Sequence, residues 1–165
     1  MSQSRAARAI VHKPPFKPDI DRPSVILYGA MSGQNKNWQG DLINSLSDLS
    51  VAILDPRRDE WDNTWVEDIS FQPFREQVEW EMDYARVADV IAFYFAGEAE
   101  VLQPITLLEL GLYAGTGKAV VCCPKGFWKR GNVQLVCERY GIEICETREE
   151  LGKNVRMRLL AKLEG

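Results

Sequence analysis

The chain has 165 residues, 45% of them hydrophobic and 27% charged, which fits one soluble domain large enough to bury a core without metals or disulfides. Its formal net charge of -4 gives no electrostatic reason to expect a nucleic-acid polymer as partner, and no apolar run approaches the roughly 18 residues of a membrane span. A single histidine, His12, excludes histidine triads and histidine metal centres, so neither a metal nor a cofactor is expected.

Residues 1–23 carry Pro14, Pro15, Pro18 and Pro23 among scattered charges and read as an extended or partly disordered arm. The domain is expected over 24–165. From Ser24 onward, apolar runs alternate with amphipathic ones: strand Val25–Tyr28, helix Trp38–Leu49, strand Val51–Leu54, helix Pro73–Val87, strand Val90–Phe95, helix Pro104–Gly115, strand Ala119–Cys123, helix Asn132–Tyr140, short strand Ile142–Ile144 and helix Arg148–Leu163. Continuous apolar strands separated by helices predict a doubly wound α/β domain with a five-stranded parallel sheet, for which 2-1-3-4-5 is the common order at this size. Cys122 and Cys123 are neighbours on one strand, so they face opposite sides and read as reduced core thiols of a cytoplasmic protein.

Such sheets bind ligands outside the carboxyl ends of their strands. The segments there are 29–38, the long loop from Asp55, and 96–103. The second holds Arg57 and Arg58, whose forks suit carboxylate or phosphate, and Trp61, Trp65 and Phe71, a platform for a flat ligand. Pairing of the arginines with Asp59, Glu60 or Asp62 in the same loop is the alternative. Gly29 and Gly33 offer backbone amides to an anion, but no G-x-G-x-x-G or P-loop spacing is present. On the next helix Gln77, Trp80, Glu81 and Tyr84 share one face, either lining a pocket or lying on a half-buried surface. Glu109 stands among Leu107, Leu108, Leu110 and Leu112 in the second turn of a helix opened by Pro104, with Gly111 beside it permitting close backbone approach. It is either a nucleophilic carboxylate or a glutamate on a solvent face. Asp89, before an apolar strand, is either an acid or a turn residue bonded to nearby backbone.

Val25-Ile-Leu-Tyr-Gly-Ala30, Asp55-Pro-Arg-Arg58 with Trp61, Glu76-Gln-Val-Glu-Trp-Glu81, Ala88-Asp-Val-Ile-Ala-Phe93 and Pro104-Ile-Thr-Leu-Leu-Glu-Leu-Gly111 with Lys118 together resemble the nucleoside 2-deoxyribosyltransferase-like family. The resemblance implies a flavodoxin-like fold and cleavage or transfer at the N-glycosidic bond of a nucleoside or nucleotide, with Glu109 as the covalent nucleophile and Asp89 as the acid beside the departing base. It implies a site built from Tyr28, Gly29, Arg57, Arg58, Trp61, Gln77, Trp80, Glu81, Gln103 and Thr106, and a homo-oligomer. Two departures stand out: Gln103 occupies a position where the resemblance implies an aspartate, and Leu27, not Tyr28, matches the family's first-strand tyrosine. Hydrolysis of a nucleoside 5'-monophosphate, with Arg57 and Arg58 on the phosphate, and a silent nucleotide-binding module are the other readings.

Overall fold

The computed structural model describes residues 8–33 and 37–165. Its elements are β1 Ile10–His12, β2 Ser24–Gly29, α1 Trp38–Ser45, β3 Ala52–Leu54, α2 Gln72–Val87, β4 Val90–Tyr94, α3 Pro104–Tyr113, β5 Ala119–Cys122, α4 Arg130–Arg139, β6 Ile144–Cys145 and α5 Arg148–Glu164. The strands form one parallel sheet in the order β1-β3-β2-β4-β5-β6. Without β1, this is the 2-1-3-4-5 order expected of the five strands from Ser24 onward.

The sixth strand corrects the five-strand expectation. Ile10–His12, within the proline-rich arm, pairs with the outer edge of β3, where Ile10 N donates to Val51 O and Asp55 N donates to His12 O. An edge strand offers a row of unpaired backbone groups, and three extended residues ahead of the prolines suffice to occupy it. Beyond them the arm crosses α2, where Trp80 Nε1 donates to Phe16 O at 2.7 Å and Tyr84 Oη donates to Pro18 O at 2.8 Å.

Period-two alternation along β2 sorts its side chains into two cores. Val25 and Leu27 pack with Trp38, Leu42, Leu151, Val155 and Leu159 of α1 and α5, whereas Ile26 and Tyr28 face Trp80, Tyr84 and Leu110 of α2 and α3. Cys122 and Cys123 divide in the same way, one to each core. Leu27 is therefore turned away from the helix that carries Glu109, and Tyr28 is turned toward it.

Gly29 ends β2 where the sheet is tightest. A Cβ there would stand 2.5 Å from Tyr94 O and 2.7 Å from the Trp38 ring, so close packing requires a glycine at this position. Trp38 uses the space it leaves, stacking on Tyr94 at 5.2 Å while its Nε1 donates to Ala30 O. Gly29→Ala is expected to destabilise the fold by about 2–3 kcal/mol, because the nearest clash is with backbone. A urea titration followed by tryptophan fluorescence checks this, and an unchanged midpoint would contradict it.

Candidate active site

Two carboxylates meet where α2 and α3 pass the carboxyl end of β2. Glu109 lies in the second turn of α3, whose start is fixed by Gln103. That residue adopts a left-handed backbone (φ 49°) at the helix N-cap. Its side chain spans the loop: Oε1 accepts from Ala96 N at 2.6 Å, and Nε2 donates to Tyr94 O at 3.0 Å and to Thr106 Oγ1 at 3.1 Å. An aspartate cannot donate to Tyr94 O, so the amide matches this geometry where an acid would not. Gln103 and buried Thr106 are thereby committed to holding the β4–α3 turn.

Glu81 reaches the same place from α2. Gln77, one turn earlier, donates from Nε2 to Glu81 Oε1 at 3.0 Å and to Pro56 O at 2.8 Å, while its buried Oε1 has no partner among the described residues. Tyr28 completes the group, its hydroxyl donating to the Glu81 backbone carbonyl at 2.6 Å and its ring stacking on Tyr113 at 5.9 Å. Among the described residues no hydrogen bond or cation holds the Glu109 carboxyl. Burial, and then the charge of Glu81, push Glu109 up to about 9. Burial raises Glu81 to about 7 against the opposing hydrogen bond from Gln77. For Tyr28, burial followed by Glu109, Tyr113 and Glu81 raises the phenol far above its usual range, so it stays a protonated donor. Two half-buried carboxyls with no counter-cation among the described residues favour keeping one proton between them.

The other expected residues are placed elsewhere or engaged. Asp89 lies at the amino end of β4, the opposite end of the sheet from Glu109, where its Oδ2 accepts from Ser24 N at 2.9 Å. It takes the backbone-bonded turn role, because strand polarity puts residues before a strand on the wrong side of the sheet for a ligand at the carboxyl ends. Trp80 is 1% exposed, packs at a tilt against the Tyr84 ring and anchors the arm, so it is core and not pocket lining.

Arg57 grips buried Asp55 through Nε and Nη2 and donates to Asn37 Oδ1. Arg58 pairs with Glu76 at 2.8 Å and Glu60 at 3.5 Å and lies over the Trp65 ring. The expected pairing of the arginines with nearby acids holds in kind, but Asp55 and Glu76 are the principal partners. Trp61, Trp65 and Phe71 form one aromatic cluster in which Trp61 is exposed. Space around Gly111 is open, so no backbone approaches it, and Leu108 and Leu112 are exposed instead of enclosing Glu109.

Tyr113, stacked on Tyr28, stands beside this group and was not singled out by sequence reasoning. Its signal was its position four residues after Glu109, which places both on one helix face. Two clefts of about 280 and 400 Å³ lie elsewhere, one lined by Tyr140, Asn154 and Arg158 and the other between α1 and α5. Neither contains paired, desolvated carboxylates. Among the described residues no cluster of His, Cys, Asp or Glu is placed to hold a metal, and no helix is long and apolar enough to cross a membrane.

A family model described as "Nucleoside 2-deoxyribosyltransferase like" matches residues 22–127, which contain every residue of this group. The crystal structure of a conserved protein from Enterococcus faecalis V583 superposes with a TM-score of 0.57 at 11% identity, covering 84% of this chain and all of that one, which shows a shared fold. No curated protein sequence matches the chain.

The uncompensated carboxyl has a cost that can be measured. In the unfolded chain Glu109 ionises near 4.5, while in the fold it keeps its proton up to about 9. Its favourable contribution is therefore full below pH 4.5 and is lost as pH rises toward 9. Glu109→Gln should match the wild-type melting temperature near pH 4.5 and exceed it increasingly up to pH 9. Parallel melting curves across that range would contradict the assignment.

Proposed function

The chain belongs to the nucleoside 2-deoxyribosyltransferase-like family, and on that premise we propose that it cleaves the N-glycosidic bond of a nucleoside through a covalent glycosyl ester on Glu109. The observation that carries this reading is the Glu109–Glu81 pair: one carboxyl held by no cation or hydrogen bond among the described residues, beside a second whose proton is retained to about 7. With one proton on the pair Glu109 holds it most of the time; the reactive form is the less populated one, in which the proton has moved to Glu81 and Glu109 is ionised. As the C1'–N bond breaks, its electron pair passes to the base, which takes the proton of Glu81, and a Glu109 oxygen bonds to C1'. A second base or water then displaces Glu109. With water, Glu81 recovers the proton and the products are free sugar and free base.

Glu81 takes the acid role that the resemblance assigned to Asp89, because Glu81 is on the same side of the sheet as the nucleophile. The exposed face of Trp61, at the rim of the long loop, is suited to stack on the departing base. An unphosphorylated nucleoside is favoured over a 5'-monophosphate, since Arg57 and Arg58 are both neutralised by carboxylates and a phosphate would face Glu81, Glu109 and Asp55. The same reading includes self-association, supported by the exposed side chains of Ile105, Leu108 and Leu112 along α3. Light scattering is expected to give at least twice the chain mass, and Leu108→Glu is expected to return the monomer.

Catalysis needs one proton on the pair. Base release from deoxynucleosides, followed by chromatography with and without an acceptor base, is therefore expected to be bell-shaped in pH. The acid limb falls near about 7 and the alkaline limb near about 9. Glu109→Ala should reduce release by at least about 10³-fold and Glu81→Gln by about 10²-fold. Binding of nucleoside with no release by the wild type would favour a binding module over an enzyme.

A further inference from the structure

Gln77 holds the Glu81 side chain by a hydrogen bond whose direction is fixed from outside the carboxyl pair. One turn before Glu81 on α2 and 5% exposed, it donates from Nε2 to Glu81 Oε1 at 3.0 Å and to Pro56 O at 2.8 Å. The Pro56 carbonyl can only accept, so the nitrogen of the amide, and not its oxygen, must face it. The same nitrogen faces Glu81. Glu81 Oε1 therefore meets a donor and has to accept, whether the carboxyl is ionised or protonated. The amide oxygen that could have received a proton from Glu81 is buried elsewhere, without a partner among the described residues. A proton on Glu81 is thus left to Oε2, which no hydrogen bond from a described residue engages.

We infer that Gln77 is a positioning residue: locked by Pro56, it commits Glu81 Oε1 as an acceptor and so reserves the acid proton for Oε2. The inference rests on the proposed reading of Glu81 as the acid and deepens it. A carboxylic acid that nothing holds can carry its proton on either oxygen and turn about its last bond. Transfer to the departing base needs one oxygen, protonated and aimed. The anchor of the amide is itself fixed, since Pro56 stands between buried Asp55 and Arg57, and Arg57 donates to Asp55 from its backbone nitrogen, Nε and Nη2.

The titratable groups facing Glu81 are Glu109 and Tyr113 from α3 and Tyr28 from β2. In the neighbouring loop Asp55 is paired with Arg57, and Arg58 with Glu76 beside Gln77. The Gln77 bond lowers Glu81 against burial, so its loss raises Glu81 above about 7. Taken alone, that change would put the shared proton on Glu81 more often and populate the reactive form. A rate that falls despite this gain is the mark of lost positioning.

Gln77→Met keeps the length of the side chain and removes both donors. With protein labelled with 13C at glutamate carboxyls, NMR is expected to show the Glu81 titration raised by about one pH unit in this variant. In the wild type labelled with 15N at glutamine side chains, the Gln77 amide is expected to shift with a midpoint of about 7, following Glu81. That second measurement needs no substitution and decides the matter if Gln77→Met does not fold.

Base release by Gln77→Met is expected to fall about tenfold in kcat with KM little changed, and its acid limb to move to higher pH. Added to Glu81→Gln, the same substitution is expected to cost nothing further, because Gln77 acts through Glu81. A Gln77 amide that ignores the Glu81 titration overturns the inference, as do a kcat that is unchanged or raised in Gln77→Met and effects of the two substitutions that sum independently. Wild-type protein that releases no base overturns the proposed activity instead, and the two titrations then decide the role of Gln77.

Discussion

The carbonyl of Tyr94, at the carboxyl end of β4, is the point on which the site is built. Ala30 N and Gln103 Nε2 both donate to it, and Gly29 lies so close that no side chain fits between. These contacts lock the end of β2, the end of β4 and the N-cap of α3 to one another. From that anchor the helical rise carries Glu109 back along the sheet to the level of Tyr28. Were the turn looser, Glu109 would have no fixed distance to Glu81. The left-handed backbone of Gln103 is the local strain that accompanies this arrangement, and three side-chain hydrogen bonds offset it.

Electrostatically the site runs against the rest of the molecule. Elsewhere several acidic groups are met by arginines: Asp55 by Arg57, Glu76 by Arg58, Asp48 by Arg156 and Glu146 by Arg130. Glu81 and Glu109 are met by an amide, two phenols and each other. Desolvation without compensation raises both above the usual carboxylate range and makes protonation the response that relieves it. That is unfavourable for stability and favourable for a reaction needing a nucleophile and an acid side by side. The arm contributes indirectly, since Trp80 and Tyr84 hold it across the same helix that presents Gln77 and Glu81.

Much of this was legible in the residues. Alternation of apolar runs located the strands from Ser24 onward, with the last shifted from Ile142–Ile144 to Ile144–Cys145, and the parallel order followed from helix-length connections. The motif around Pro104 identified Glu109, and the three- and four-residue spacing in α2 placed Gln77 and Glu81 on one face. What escaped were roles decided by direction and competition. Asp89 and Glu109 flank the same strand in sequence, but only strand polarity tells that they lie at opposite ends of the sheet. Arg57 and Arg58 were read as paired with acids of their own loop or free for phosphate, because nothing in the order of residues shows that Asp55 and Glu76 reach them first. Ile10–His12 gave too short a pattern to read as a strand, since three residues become one only when a neighbouring edge offers them partners.

By itself, then, the sequence determined the layered α/β fold and the family and singled out Glu109 as the candidate nucleophile, because periodicity, helix capping and a compact motif are local properties of the chain. The tertiary structure alone decided which carboxyl lies near Glu109, which arginines are already occupied and how Tyr28 is set against α2 and α3. Each of those depends on contacts between residues tens of positions apart, such as Tyr28 with Glu81 and with Tyr113. Those contacts are set by sheet order and close packing at Gly29, and no local pattern encodes them.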